Sequence, residues 1–119
     1  MKKLILGLVA LLSGCSIIQV SHFDANEYEL AVKIRSTAST QKCTPYNVES
    51  LYKTALNLKN YSEYVPNNEN TFTMSKGLFT LVDELHEKTV INETYCRLKL
   101  KSIEQSAEII QKTLGAQAR

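Results

Sequence analysis

Apolar residues in this chain return at steps of three and four, and little interrupts them. Cys96, Leu100, Ile103, Ala107, Ile110 and Leu114 alternate steps of four and three, the period that lays one stripe of a helix against a core. Only four glycines and two prolines occur in 119 residues, and strand-like alternation is scarce. The chain is expected to be all-α.

The same spacing places the other helices. Leu30, Ile34 and Ala38, with Ala31 beside them, predict a first helix over about residues 24–42, capped by Asp24 or Asn26. Thr44 suits an N-cap and Pro45 the first helical position, where no amide hydrogen is needed. A second helix is expected from there to about residue 64, with Val48, Leu51, Ala55 and Leu58 inward and Tyr52 widening the stripe. Residues 66–71 read as a polar loop. Met74, Leu78, Leu81 and Leu85 then open another stripe, widened by Val82, and Gly115 is expected to close the last one. Residues 89–94 contain no glycine or proline, and Leu85, Thr89, Asn92 and Cys96 keep the phase. Residues 74–114 are therefore expected to form one long or kinked helix of about 60 Å. A break near Asn92 is the alternative, because residues 89–94 are weak helix formers.

The first residues obey a different logic. Met1-Lys2-Lys3 precedes nine apolar residues, 4–12, and then the small pair Ser13-Gly14, the three-part pattern of a secretory signal. Nine residues are too few to cross a bilayer, which takes about 20. At the junction, Leu12-Ser13-Gly14-Cys15 resembles the lipobox of bacterial lipoproteins, a likeness confined to roughly the first 16 residues. The resemblance implies that signal peptidase reads Leu12, Ser13 and Gly14, and that Cys15 is lipidated and becomes the mature N-terminus. It also implies the outer membrane, since Ser16 stands where the family's inner-membrane retention signal has Asp. Two or three acyl chains form a stable anchor.

Removal of residues 1–14 leaves 105 residues with twelve Lys+Arg against twelve Asp+Glu. The formal charge of +2 for the whole chain thus belongs to the leader, and nothing supports a nucleic-acid partner, which would want a concentrated basic face. With Cys15 assigned to lipid, Cys43 and Cys96 remain in a compartment that permits disulfides. Their bond would close a loop between positions 53 apart, valued at roughly 4 kcal/mol by chain entropy. The expected organisation is a cleaved leader (1–14), a lipidated start and short tether (15–23), a helical domain (24–115) and a tail (116–119). Its architecture is an antiparallel helical hairpin or a small three- or four-helix bundle, stapled by Cys43–Cys96. Eight tether residues, 16–23, extend at most about 29 Å. In an elongated hairpin the anchor and C-terminus would share one end and the 65–72 loop would lie at the other.

Chemistry is sparse. Asp83, His86 and Glu87 form the densest reactive group, but His-Glu without a second histidine is not a metalloprotease motif. A solvated helix face explains them. No nucleophile elbow, phosphate loop or zinc pattern is present, so no enzyme, metal or cofactor is expected beyond the acyl lipid on Cys15. Tyr61 and Tyr64 lead into Asn67, Asn68 and Asn70, and tyrosine beside asparagine is the composition of an adaptable recognition surface. Core closure beneath a plain turn, with Phe72, is the simpler account of the tyrosines. The expected function is a non-enzymatic, membrane-anchored binding or accessory module of the periplasm with an envelope protein partner. A phage-type superinfection-exclusion or lysis (spanin-like) lipoprotein is the alternative, and a small envelope enzyme the third.

Overall fold

The computed structural model of the chain describes residues 23–43, 47–88 and 92–117. The leader, the Leu12 to Cys15 junction, most of the tether, the expected Thr44-Pro45 cap and residues 118–119 lie outside these. Four helices follow one another: α1, Ala25–Thr40; α2, Glu49–Tyr64; α3, Glu69–His86; and α4, Glu93–Gln117. No strand occurs among the described residues.

Each helix packs on its sequence neighbour, and α4 closes the ring on α1. Contacts at both ends fix the antiparallel course of α1 and α4: Cys43, just after α1, meets Cys96 at the start of α4, while Gly115, near the end of α4, lies beside the Tyr28 ring near the start of α1. Between them the Arg35 guanidinium donates to Gln111 Oε1 (2.9 Å) and the Gln111 amide to the Tyr28 hydroxyl (3.3 Å). On the α2–α3 seam, Tyr52 stacks on His86 (3.9 Å between ring centres) and meets Phe79 (5.5 Å). On the α3–α4 seam, Lys99 Nζ bonds Glu84 Oε1, a contact that raises the lysine pKa above its ordinary 10.5. The molecule is an up-down-up-down bundle, which decides between the two expected architectures and removes the elongated hairpin.

The core follows the stripes. All six apolar positions of the last stripe, Cys96 to Leu114, are buried, as are Ala31, Ile34, Ala38, Leu51, Ala55, Leu58, Leu78, Val82 and Leu85. Each fully buried leucine or isoleucine contributes about 1.5–3 kcal/mol of transfer free energy. Leu30 and Met74 are only half-buried and flank this core.

Local chemistry displaces several expected boundaries. Asp24 caps α1, its Oδ1 accepting from the amides of Asn26 (2.9 Å) and Glu27 (3.0 Å). The second helix begins not at Pro45 but at Glu49, whose amide donates to Asn47 Oδ1 (3.1 Å). Gln41 holds the preceding loop by donating to the carbonyls of Lys42 and Asn47, while Val48 is buried ahead of the helix. The single long helix over 74–114 does not form. Helix α3 stops at His86, and Asn92 starts α4 by accepting the Tyr95 amide on Oδ1 (3.0 Å) and the Cys96 amide on its carbonyl (2.9 Å). An asparagine that caps a new helix overrides the unbroken apolar phase. Gly115, expected as the stop, lies inside α4, where a β-carbon would stand 3.7 Å from the Tyr28 ring.

Cys43 and Cys96 stand at bonding distance, with sulfurs 2.06 Å and α-carbons 6.1 Å apart. This disulfide joins the exit of α1 to the first turn of α4, at the end of the bundle opposite the 65–68 turn.

Candidate recognition site at the turn between α2 and α3

The start of α1, the end of α2 and the start of α3 meet at one end. Tyr61, in the last turn of α2, donates its hydroxyl proton to Asp24 Oδ2 (2.9 Å) and accepts from the Asn26 amide (3.1 Å). Below it lies a polar knot. Glu27 is completely buried on α1, and its Oε2 accepts from the Asn68 amide, which also donates to the Ser62 carbonyl (3.1 Å). Asn68 occupies the N-cap of α3 without a capping bond from its side chain, because that side chain is spent on Glu27 and Ser62. Four oxygens of this knot, Glu27 Oε1, Ser62 Oγ, Asn68 Oδ1 and Thr71 Oγ1, are buried without a hydrogen-bond partner.

The connection between the two helices is a tight turn over residues 65–68 rather than the longer 66–71 loop. Asn67 takes it with φ of 54°, a left-handed conformation that asparagine tolerates better than most residues. Asn70, expected in the loop, lies exposed in the first turn of α3.

The five expected binding residues thus divide between two concavities. Asn67, Asn68 and Asn70 line a cleft of about 600 Å³ at the turn, together with Ser62, Glu63 and Glu69. Tyr61 and Tyr64 line a groove between α1 and α2 with Asn26, Tyr28, Asn57 and Asn60. Tyr64 is 82% exposed, so it does not close the core; Tyr61 is half-buried and occupied by Asp24 and Asn26. Asn68 is structural as well as cleft-lining, being only 3% exposed.

Sequence reasoning did not single out Ser62, Glu63, Glu69 or Glu27. The signal available was charge: Glu63 and Glu69 bracket the turn, and α2 carries no basic residue in its last turn. Of Asp83, His86 and Glu87, the first two lie in α3 and Glu87 is its C-cap. His86 Nε2 lies 3.0 Å from Glu49 Oε1 on the neighbouring helix. Among the described residues no cluster of three or more His, Cys, Asp or Glu side chains could hold a metal ion, and no helix is long and apolar enough to cross a membrane.

No family model, curated protein or solved structure matches this chain.

Proposed function

We propose that the chain is a lipoprotein of the bacterial envelope, held at the outer membrane through Cys15 and acting there as a non-enzymatic binding or accessory module for an envelope protein. The observation that carries this reading is the Leu12-Ser13-Gly14-Cys15 junction at the end of a cationic-apolar leader. The bundle adds support of a different kind. Its turn end, with the exposed Tyr64 and the asparagine-lined cleft, lies beside Asp24, the residue at which the tether would enter α1. A lipid on Cys15 therefore keeps that end within about 29 Å of the bilayer, and the partner it meets belongs to the same membrane or its immediate surface.

Metabolic labelling with an alkyne-tagged palmitate, combined with membrane fractionation, tests the anchor. The wild-type chain is expected to carry label and to sediment with outer membranes. Cys15→Ala is expected to lose both. An unlabelled, unattached wild-type chain refutes the reading.

A further inference from the structure

The outward face of α4 carries apolar surface that the bundle leaves uncovered. Leu98 and Ile109 are 65% and 57% exposed, and among the described residues they are the two large aliphatic side chains in that state. They stand 11 positions apart, three helical turns, so they lie on one line of the helix about 16 Å from each other. Ser102 and Gln105, both exposed, lie between them. Single apolar residues are ordinary on a protein surface. What singles this pair out is the order of the charges beside it.

Along the edge of that face the charges read Glu93, Arg97, Lys101, Glu104, Glu108 and Lys112. Reversed, this order is its own complement. Glu93 answers Lys112, Arg97 answers Glu108 and Lys101 answers Glu104, three pairs that share one midpoint, and that midpoint lies one residue from the midpoint of Leu98 and Ile109. Within the chain the outer charges are paired locally, Arg97 with Glu93 (2.8 Å) and Lys112 with Glu108 (3.2 Å). Lys101 and Glu104, at the centre, take part in no ion pair among the described residues.

We infer that two copies of the chain pair through this face, α4 against α4 and antiparallel, about a two-fold axis beside Ile103 and Glu104. A two-fold contact requires a patch that is complementary to itself. In this register Leu98 of each copy meets Ile109 of the other, Ser102 meets Gln105, and each Lys101 comes opposite Glu104 and within reach of Glu108. A parallel pair would set every charge against its own kind, and flanking charges decide the orientation of paired helices. The two-fold also lays the charged edge of one copy along that of the other. Helix α1 borders this edge, since Ala38 and Ser39 share a concavity with Arg97, Lys101 and Glu104. Both α1 helices, and the points where the tethers enter them, therefore fall on the same side of the dimer. Two chains anchored in one membrane can pair as readily as free ones, and the pairing does not depend on the anchor.

The test uses the full chain carrying Cys15→Ala, with the Cys43–Cys96 bond intact, in a non-ionic detergent. Single cysteines are placed on the outward face of α4, and a short bifunctional thiol crosslinker is added. In the antiparallel register Gln105→Cys brings its two thiols to about 5 Å along the helix, whereas Ala116→Cys, on the same face, leaves them about 37 Å apart. Covalent dimer is expected from Gln105→Cys and not from Ala116→Cys. Adding Leu98→Gln and Ile109→Gln to Gln105→Cys is expected to raise the protein concentration for half-maximal crosslinking by about tenfold, glutamine being close to leucine as a helix former. Lys101→Glu is expected to raise it by about fivefold, and Lys101→Glu with Glu104→Lys to restore it, because the exchanged charges are again complementary. Crosslinking of both cysteine variants or of neither overturns the inference, as does an unchanged yield after Leu98→Gln with Ile109→Gln or a failure of the exchanged charges to restore it. A chain that stays monomeric leaves this face to solvent or to a different protein. None of these results touches the Cys15 labelling experiment, so the anchor and the pairing fail separately.

Discussion

Tyr61 joins α2 to the beginning of α1 by two hydrogen bonds, one given to Asp24 and one taken from Asn26. Its ring is half-buried, so the hydroxyl bonds are partly shielded from water. Tyr61→Phe keeps the ring and removes both bonds, which is expected to cost about 1 kcal/mol. In a domain of this size that lowers the melting temperature by about 4–8 °C, measurable by circular dichroism. An unchanged midpoint shows that water replaces both partners at no cost. Residues such as Tyr61 also mark the limit of sequence reading. Composition singled out Tyr61, Tyr64 and the asparagines as a group, but their division between a groove and a cleft depends on which side of α2 faces α1. Glu27 and Asn68 were illegible for a plainer reason: a hydropathy stripe assigns charged and amide side chains to solvent, and only the meeting of three helix ends creates a buried place where the Asn68 amide bonds Glu27.

At the scale of the element, the last helix was readable almost residue by residue, because its four-three alternation is uninterrupted and every one of its six stripe positions is buried. Its beginning was not. Continuity of phase through Thr89 and Asn92 suggested one helix, whereas capping is a local hydrogen-bond choice that phase does not encode. Asn92 makes that choice, taking the Tyr95 amide on its side chain. Asn92→Ala is expected to destabilise the bundle by about 1 kcal/mol, with the loss centred on the first turn of α4. Amide exchange should quicken at Tyr95 and Cys96 more than at Leu114; a uniform change would mean that Asn92 acts on the whole fold instead of on the helix start. Gly115 shows the opposite error. Glycine inside a helix costs only about 1 kcal/mol relative to alanine, and α4 continues two residues beyond it while packed beside Tyr28.

For the whole molecule, the four-helix ring was one of two architectures open to the sequence, and the Cys43–Cys96 pairing was legible in both. Hairpin and bundle place the two cysteines near each other equally well, so the disulfide alone could not choose. The choice came from the break before Asn92, which lets α4 fold back along α3 and meet α1. Replacing both cysteines by alanine is expected to destabilise the bundle by roughly 4 kcal/mol, a fall in melting temperature of more than about 15 °C. Thermal unfolding of the double variant beside the oxidised wild type measures it. A fall of only a few degrees would show that the denatured chain is already compact without the link.

The position of that link has a mechanical consequence. Suppose a load is applied between residue 23 and the C-terminal end of α4. Helix α1 can peel away, beginning at the Asp24–Tyr61 contact, but only as far as Cys43. There the load crosses the covalent bond to Cys96 and continues along α4. Helices α2 and α3 belong to the closed covalent loop between those two cysteines, so no tension along the backbone passes through them. Ser62, Glu63, Asn68 and Glu69, which line the cleft at the turn, all lie within this loop, so a load between those two ends leaves the cleft unstretched.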